Sequence, residues 1–552
     1  MRKEDREFRL AAISHLDYKT ITMDRVLTSL FPRLLFGGAV NRVRKRPDLT
    51  VETFVQEFLD PKGVNGEKPD WFVGFDKHPD IVRAWVLDNL LDVVNRGRPT
   101  EAVAAPRPLH LDTFKFRNPK YCRDYGASQQ LYWMLYAARS HGQASLDELK
   151  RFFRIGIDPV TGRDQHAQLD VETQALLRLS SQIENQIRDD ADQERSAPLC
   201  LGSCDVLAED VRRLLAYQRV IPRSVLVEYL KTLFAFHLAL YHLRLAKLLP
   251  ALVAANGESA GCQASTCPGQ GVVNCQGRTG ILIDAANQAG SPIAALAETS
   301  AEFQYRRAGQ GLVRAQILVG KLATFADQME RMNKLPRPEH GMRSVHEILR
   351  VLGPSFAADR DNFFAQKLFG LLNHLRQDGE ESLSDLVAKI EALDLSPLEK
   401  YLEINLAQRS GYWRDFIVSC LDSLFLKNKD GAMVAQPRTK NARRRFIFDG
   451  RMIEVLVQIA VLEPTAQGFR TKNLHVDDLL TLLRNRYGIH IDQLPLGEGF
   501  QEVTIGDRTA LRSNLTAFRI RLRDIGFLRD LSDAYTSQTI TPRYEIMEST
   551  HV

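Results

Sequence analysis

Residues 507–526 read DRTALRSNLTAFRIRLRDIG, and most of what the chain says about itself is contained there. Leu511, Leu515, Phe518, Leu522 and Ile525 recur in steps of four and three, which predicts a helix with one narrow apolar stripe against a core. Asp507 suits the N-cap and Gly526 the stop. At 100° per residue, Arg508, Arg512, Arg519 and Arg523 form a second stripe beside the first, with Thr516 among them. Arg521 falls on the other flank, and Asp524 points away from the arginines. Guanidinium groups in that array match phosphate oxygens and the O6/N7 edge of guanine.

Two more helices precede this one. GRMIEVLVQIAVLE (450–463) places Met452, Val455, Leu456 and Ile459 on one face before Pro464. HVDDLLTLLRNRYG (475–488) turns Val476, Leu479, Leu480, Leu483 and Tyr487 inward, with Gly488 as a C-terminal stop. After the third helix, the extended runs FLRDL (527–531) and SQTITPRYEI (537–546) flank a polar tip, SDAYT, as in a β-hairpin. Three helices and a hairpin are the order of a winged helix, whose third helix enters the major groove of duplex DNA while the hairpin touches the backbone. Arg529 and Arg543 lie on the expected hairpin. Arg443, Arg444 and Arg445 precede helix one, either as a backbone-gripping arm or as solvated linker charge. Winged helices also dock proteins, so an assembly role stays open beside DNA binding.

Upstream, the chain reads as mainly α-helical. Its 552 residues, 44% hydrophobic and 26% charged, have ordinary globular composition and exclude a disordered or collagen-like chain. The expected regions are a helical 1–198, a helical 199–335 with a Gly-rich cysteine loop, a helical 336–430, a polar linker, and the winged helix at 438–552. HPDIVRAWVLDNLLDVVNRG predicts one long helix that buries Ile81, Trp85, Leu87, Leu90, Leu91 and Val94 and stops at Gly97. SVLVEYLKTLFAFHLALYHLRLAKLLPALVAA is the most apolar stretch, but charges interrupt it, so it reads as a core helix and not a membrane span. His237 and His242, five residues apart, read as core histidines more readily than as ligands. The net charge of +5 is too small to mark nucleic-acid binding, so any such signal must be local.

The seven cysteines, an odd number with no signal peptide apparent, fit a reducing cytoplasm better than a disulfide framework. Cys262, Cys267 and Cys275 share a Gly-rich loop, and Cys200 or Cys204 could complete a tetrahedral thiolate shell for a structural zinc. The spacing lacks paired CxxC motifs, so incidental thiols are the plainer reading. Catalytic motifs are missing: there is no GxSxG, no GxGxxG after a strand and no HExxH. AQILVGKL (315–322) imitates a phosphate loop but lacks its first glycine and carries Leu322 where magnesium needs Ser or Thr. A non-catalytic role follows, with a nuclease site assembled from distant residues as the alternative.

LDYKTITMDRVLTSLFPRLLFGGAVNR (16–42), DIVRAWVLDNLLDVVNRGR (80–98), RRRFIFDGRMIEVLVQIAVLEP (443–464) and ALRSNLTAFRIRLRDIGFLRDL (510–531) resemble large proteins of bacterial anti-phage defence islands. The nearest resemblance is to a component of the methylation-associated defence system. It implies a cytoplasmic subunit, acting with other proteins of one system that distinguishes or restricts foreign DNA. It carries no functional residues with it.

Overall fold

The computed structural model describes residues 8–39, 50–60, 73–155, 169–181, 198–256, 275, 277–338, 342–378, 381–439, 441–466, 468–528 and 539–547. The chain is mainly helical, with short two-stranded sheets between helices. In chain order the elements used below begin with α1 (Met23–Leu35), β1 (Leu91–Val94), β2 (Ala102–Pro106), α2 (Leu201–Leu215) and α3 (Arg223–Ala254). They continue with β3 (Ile281–Leu282), α4 (Pro292–Arg307), α5 (Val313–Arg331), α6 (Ala357–Asp378), α7 (Pro397–Leu424), β4 (Val434–Ala435) and β5 (Arg445–Phe446). The C-terminal part holds α8 (Gly450–Ala460), β6 (Leu462–Thr465), β7 (Gly468–Thr471), β8 (Leu474–His475), α9 (Val476–Leu482), β9 (Ile489–His490), α10 (Ile505–Asp524) and β10 (Thr539–Ile540).

Helix α3 is the axis of the body. Its 32 residues span about 48 Å at 1.5 Å per residue. Apolar residues surround it on every side, and such a helix must be enclosed. Among the described residues it is the one helix long and apolar enough to cross a membrane by length and composition, yet its most apolar window is 78% buried by the rest of the protein. Helices α1, α2, α4, α5, α7 and α8 all pack on it. His237 and His242 are core residues, as their setting in the sequence suggests. His237 Nε2 bonds Asp210 at 2.9 Å, while His242 bonds Ser14 Oγ at 3.0 Å and the Leu238 carbonyl at 2.7 Å.

Two stretches depart from their sequence reading. The long helix expected from Pro79 ends at Trp85, passes through a π turn at Val86–Leu90, and becomes β1, paired antiparallel with β2. The reason lies in which residues find cover: Val82, Val86 and Leu90 are buried, whereas Ile81 is 67% exposed. β-branched Val93 and Val94 then favour the strand, and Ala102–Pro106 supplies its partner. The polar stretch read as a linker is a hairpin. β4 pairs with β5, and Val434 and Phe446 are fully buried beneath it.

The C-terminal part is interlocked with the body. β3 pairs in parallel with β9, so a strand from the middle of the chain aligns with one that follows α9. Gly488 makes this approach possible. Its φ of +77° is left-handed, and a Cβ there would lie 1.9 Å from the Thr279 carbonyl oxygen. One buried apolar cluster extends from Phe8 to Ile540.

Candidate nucleic-acid interface

Helix α10 begins one turn earlier than its charge pattern suggested. Thr504 is the N-cap, and Asp507 is its partner three residues on. Thr504 Oγ1 accepts from the Asp507 amide at 3.1 Å, and Asp507 Oδ2 accepts from the Thr504 amide at 2.9 Å. Gly526, at φ +91°, closes the other end. Leu511, Phe518 and Leu522 face inward as the stripe requires, and Leu515 and Ile525 are half-buried at its margins.

The middle of the buried face is polar. Asn514 is fully enclosed and satisfies every polar atom. Its Oδ1 accepts from the Ala285 amide at 2.8 Å, and its Nδ2 donates to the carbonyls of Ile283 and Ile491 at 2.8 Å each. Arg521, on the flank away from the arginine stripe, donates to the Phe448 carbonyl at 2.6 Å. These bonds fix α10 in rotation. The side opposite Asn514 is therefore the side turned outward.

Arg508, Arg512, Thr516 and Arg523 lie on that outward side and are exposed; Arg519 is half-buried at its edge. Among the described residues no carboxylate pairs with Arg508 or Arg512. Thr516 Oγ1 donates to the Arg512 carbonyl at 3.1 Å, as a hydroxyl on an open helix face commonly does.

The remaining arginines singled out by the sequence are placed differently. Arg443 is exposed, with Glu302 at 3.7 Å. Arg444 holds Asp422 through Nε at 2.7 Å and Nη2 at 2.9 Å and lies over the Tyr305 ring. Arg445 is buried, 2.9 Å from Asp284 and 2.7 Å from Asn287 Oδ1. Burial pushes the Asp284 carboxyl up, and Arg445 only partly offsets this. Arg543 donates to Glu454 at 3.1 Å and to the Ile525 carbonyl, clipping the C-terminal segment to α8 and to the end of α10. Arg529 lies outside the described residues. Of the triple-arginine run, Arg443 is thus the one exposed residue, and it has Glu302 beside it.

A buried charge network, with no signal in the sequence, anchors the end of α9. Asp210 of α2 is completely enclosed and accepts from Arg486 Nε at 3.0 Å, Tyr487 Oη at 2.8 Å and His237 Nε2 at 2.9 Å. Burial alone would raise the Asp210 pKa, but Arg486 and the His237 bond hold it below its ordinary value. Burial lowers His237 despite Asp210 beside it. A charged Asp210–Arg486 pair and a neutral imidazole therefore sit where α2, α3 and the C-terminal part meet.

Of the described cysteines, Cys122, Cys200, Cys204 and Cys420 are buried and Cys275 is half-buried. Cys200 and Cys204 are buried at the start of α2, and the Cys204 thiol donates to the Cys200 carbonyl at 3.5 Å. The buried Arg244 guanidinium, bonded to Ser203 Oγ at 2.9 Å, is close enough to Cys200 and Cys275 to feel both thiols. Among the described residues no group of three or more His, Cys, Asp and Glu side chains could hold a metal ion. Cys262 and Cys267 lie outside the described residues.

Against known families, residues 3–544 match the methylation-associated defense system protein MAD7 family. The chain belongs to that family. The match spans nearly the whole chain, body and C-terminal part alike, and agrees with the resemblance carried by 16–42, 80–98 and 443–464. No curated protein matches the chain. Membership places it in an antiviral defence system and implies further subunits of that system.

Proposed function

We propose that this chain is a non-catalytic, DNA-contacting subunit of the methylation-associated defence system, working beside other subunits. In this reading residues 438–552 form a winged helix with α10 as the groove-entering helix. The order α8, β8, α9, α10, Leu528, β10, with the β6–β7 hairpin and β9 set between them, supports that assignment. So do the antiparallel pairing of β10 with β8 and the bridge from Leu528 to Ile540, a small sheet where a winged helix would carry the base of its wing.

The observation that carries the reading is the outward face of α10. Arg508, Arg512, Thr516 and Arg523 share it, with the helix held in rotation by Asn514 and Arg521. Arginine on a rigid helix is suited to grip phosphates and to read guanine edges. Arg443 adds one further exposed cation.

Anisotropy of a fluorescent random-sequence duplex, followed across a salt series with the full chain, tests the reading. Arg508→Ala, Arg512→Ala and Arg523→Ala together should flatten the log–log slope by about 0.9 for each phosphate no longer neutralised, up to about 2.7 in all. The same affinity and slope in a folded triple variant would refute it, and association with a co-purified subunit that ignores salt would favour protein docking instead.

A further inference from the structure

A second cluster of arginines stands on α4, on α7 and just before β5. Glu302, Tyr305 and Arg306 of α4, Arg414 of α7, and Arg443 and Arg444 just before β5 surround an open pocket of about 480 Å³. That volume lies within the range of small-molecule sites, about 300–1,000 Å³, and far exceeds what a single phosphate fills. Arg306, Arg414 and Arg443 are exposed at the rim; Glu302 is the one acidic residue in the lining, and Asp415 lies 3.6 Å from Arg414 beside it. Ala301, Val418 and Ala442 make the wall beneath them apolar.

The pocket is built, not incidental. Arg444 is locked by its Nε and Nη2 bonds to Asp422, which also accepts from Tyr305 Oη at 3.0 Å and from Lys427. That side-on fork leaves the Nη1 edge of Arg444 pointing away from Asp422. At the lip, α4 widens into a π turn at Ala308–Leu312 before α5 begins. Such insertions often mark functional positions. Gly309, inside that turn, lets the Arg414 stem cross the helix surface: a Cβ there would lie 2.7 Å from Arg414 Cγ. Gln310, exposed in the same turn, adds a neutral amide to the lining.

We infer that this pocket binds a nucleotide, its oligophosphate held by Arg306, Arg414, Arg443 and the free edge of Arg444 and its body against the apolar wall. The charge pattern selects the ligand. Guanidinium forks bind phosphate oxygens bidentately, and several of them around one volume suit more than one phosphate group. An apolar wall beside that rim suits a ligand with an uncharged body.

Calorimetric titration of the full-length protein with ATP, inorganic pyrophosphate and adenosine, with and without magnesium, tests this. ATP should bind saturably, pyrophosphate should compete with it more weakly, and adenosine should bind at least about tenfold more weakly than ATP. Arg306→Gln and Arg443→Gln should each cost about tenfold in ATP affinity, and Glu302→Gln, which removes the opposing carboxylate, should tighten it. These are exposed positions, so the variants should melt like wild type, and Arg508→Ala/Arg512→Ala should bind ATP unchanged. No saturable ATP binding in the folded wild type, or binding that both glutamine variants leave intact, overturns the inference. Pyrophosphate binding as tightly as ATP overturns its assignment to a nucleotide.

Discussion

Arg486 and Arg512 stand on successive helices of the C-terminal part and carry the same charge into opposite settings. Arg486 is turned inward onto Asp210, which is fully buried and also takes bonds from Tyr487 and His237. Arg512 is turned outward on α10, where among the described residues no carboxylate meets it. Burying a guanidinium without partners is costly, and Arg486, Arg445 and Arg521 are each answered by a carboxylate or by carbonyls. Asp210 answers Arg486, Asp284 answers Arg445, and carbonyls answer Arg521. An outward guanidinium needs no such partner and remains available to a ligand. Arginine density therefore marks no interface by itself.

The sharpest way to break the comparison is to unpair the inward charge. Asp210→Ala leaves the Arg486 guanidinium buried and removes the acceptor of Tyr487 and His237. Breaking a buried pair from one side costs about 3–5 kcal/mol, so a large fall in melting temperature is expected, with loss of the cooperative transition as its extreme. Thermal unfolding followed by circular dichroism decides it. A melting point within a degree or two of wild type would mean that the network adds nothing to the joint between body and C-terminal part.

Much of this arrangement was legible in the sequence, and the part that was not has a common cause. The faces of α8 and α9 were correctly read, because Met452, Val455, Leu479 and Tyr487 obey helical spacing and local rules decide them. The outward placement of Arg508 and Arg512 follows from the same periodicity. Arg444 and Arg445 could not be placed that way. Their carboxylate partners, Asp422 and Asp284, are distant in the chain, and nothing local separates them from the exposed Arg443. Asn514 was missed for a similar reason, since its acceptors and donor come from residues 283–285 and 491. The β1–β2 hairpin was hidden because its sequence also carries helical spacing, and tertiary cover, not propensity, chose between them.

Buried histidines give a milder test of the same principle, with protons as the probe. Burial pushes His15 and His242 down to about 4 and His110 to about 3, each from about 6.5. A histidine kept neutral in the fold is protonated in the unfolded chain once pH falls below about 6.5. The stability it contributes is therefore present above that value and declines as pH falls towards the folded pKa. Between pH 7 and 5.5 each group should lose roughly 1.2 kcal/mol. Asp210, with its depressed pKa, adds its own loss only at lower pH, as acid approaches the ordinary carboxylate range. Chemical denaturation at a series of pH values should show the decline beginning near pH 6.5, and His242→Gln should flatten it. A stability that stays level from pH 7 to 5 would contradict neutral burial of these rings.

The smallest expected effect falls on the outward arginines and is informative because it is small. Arg508→Ala and Arg512→Ala remove charges with no ion-pair partner among the described residues and leave the Thr504–Asp507 cap and the Asn514 bonds intact. Surface substitutions away from such features change stability by less than about 0.5 kcal/mol, and alanine is if anything the better helix former. The pair should unfold at the wild-type denaturant midpoint while the salt slope of DNA binding drops. Stability and binding then separate cleanly on one helix: the inward face sets the first, the outward face the second. A midpoint shifted by more than about 1 kcal/mol would show that these arginines support the fold after all, and would move them to the same class as Arg486.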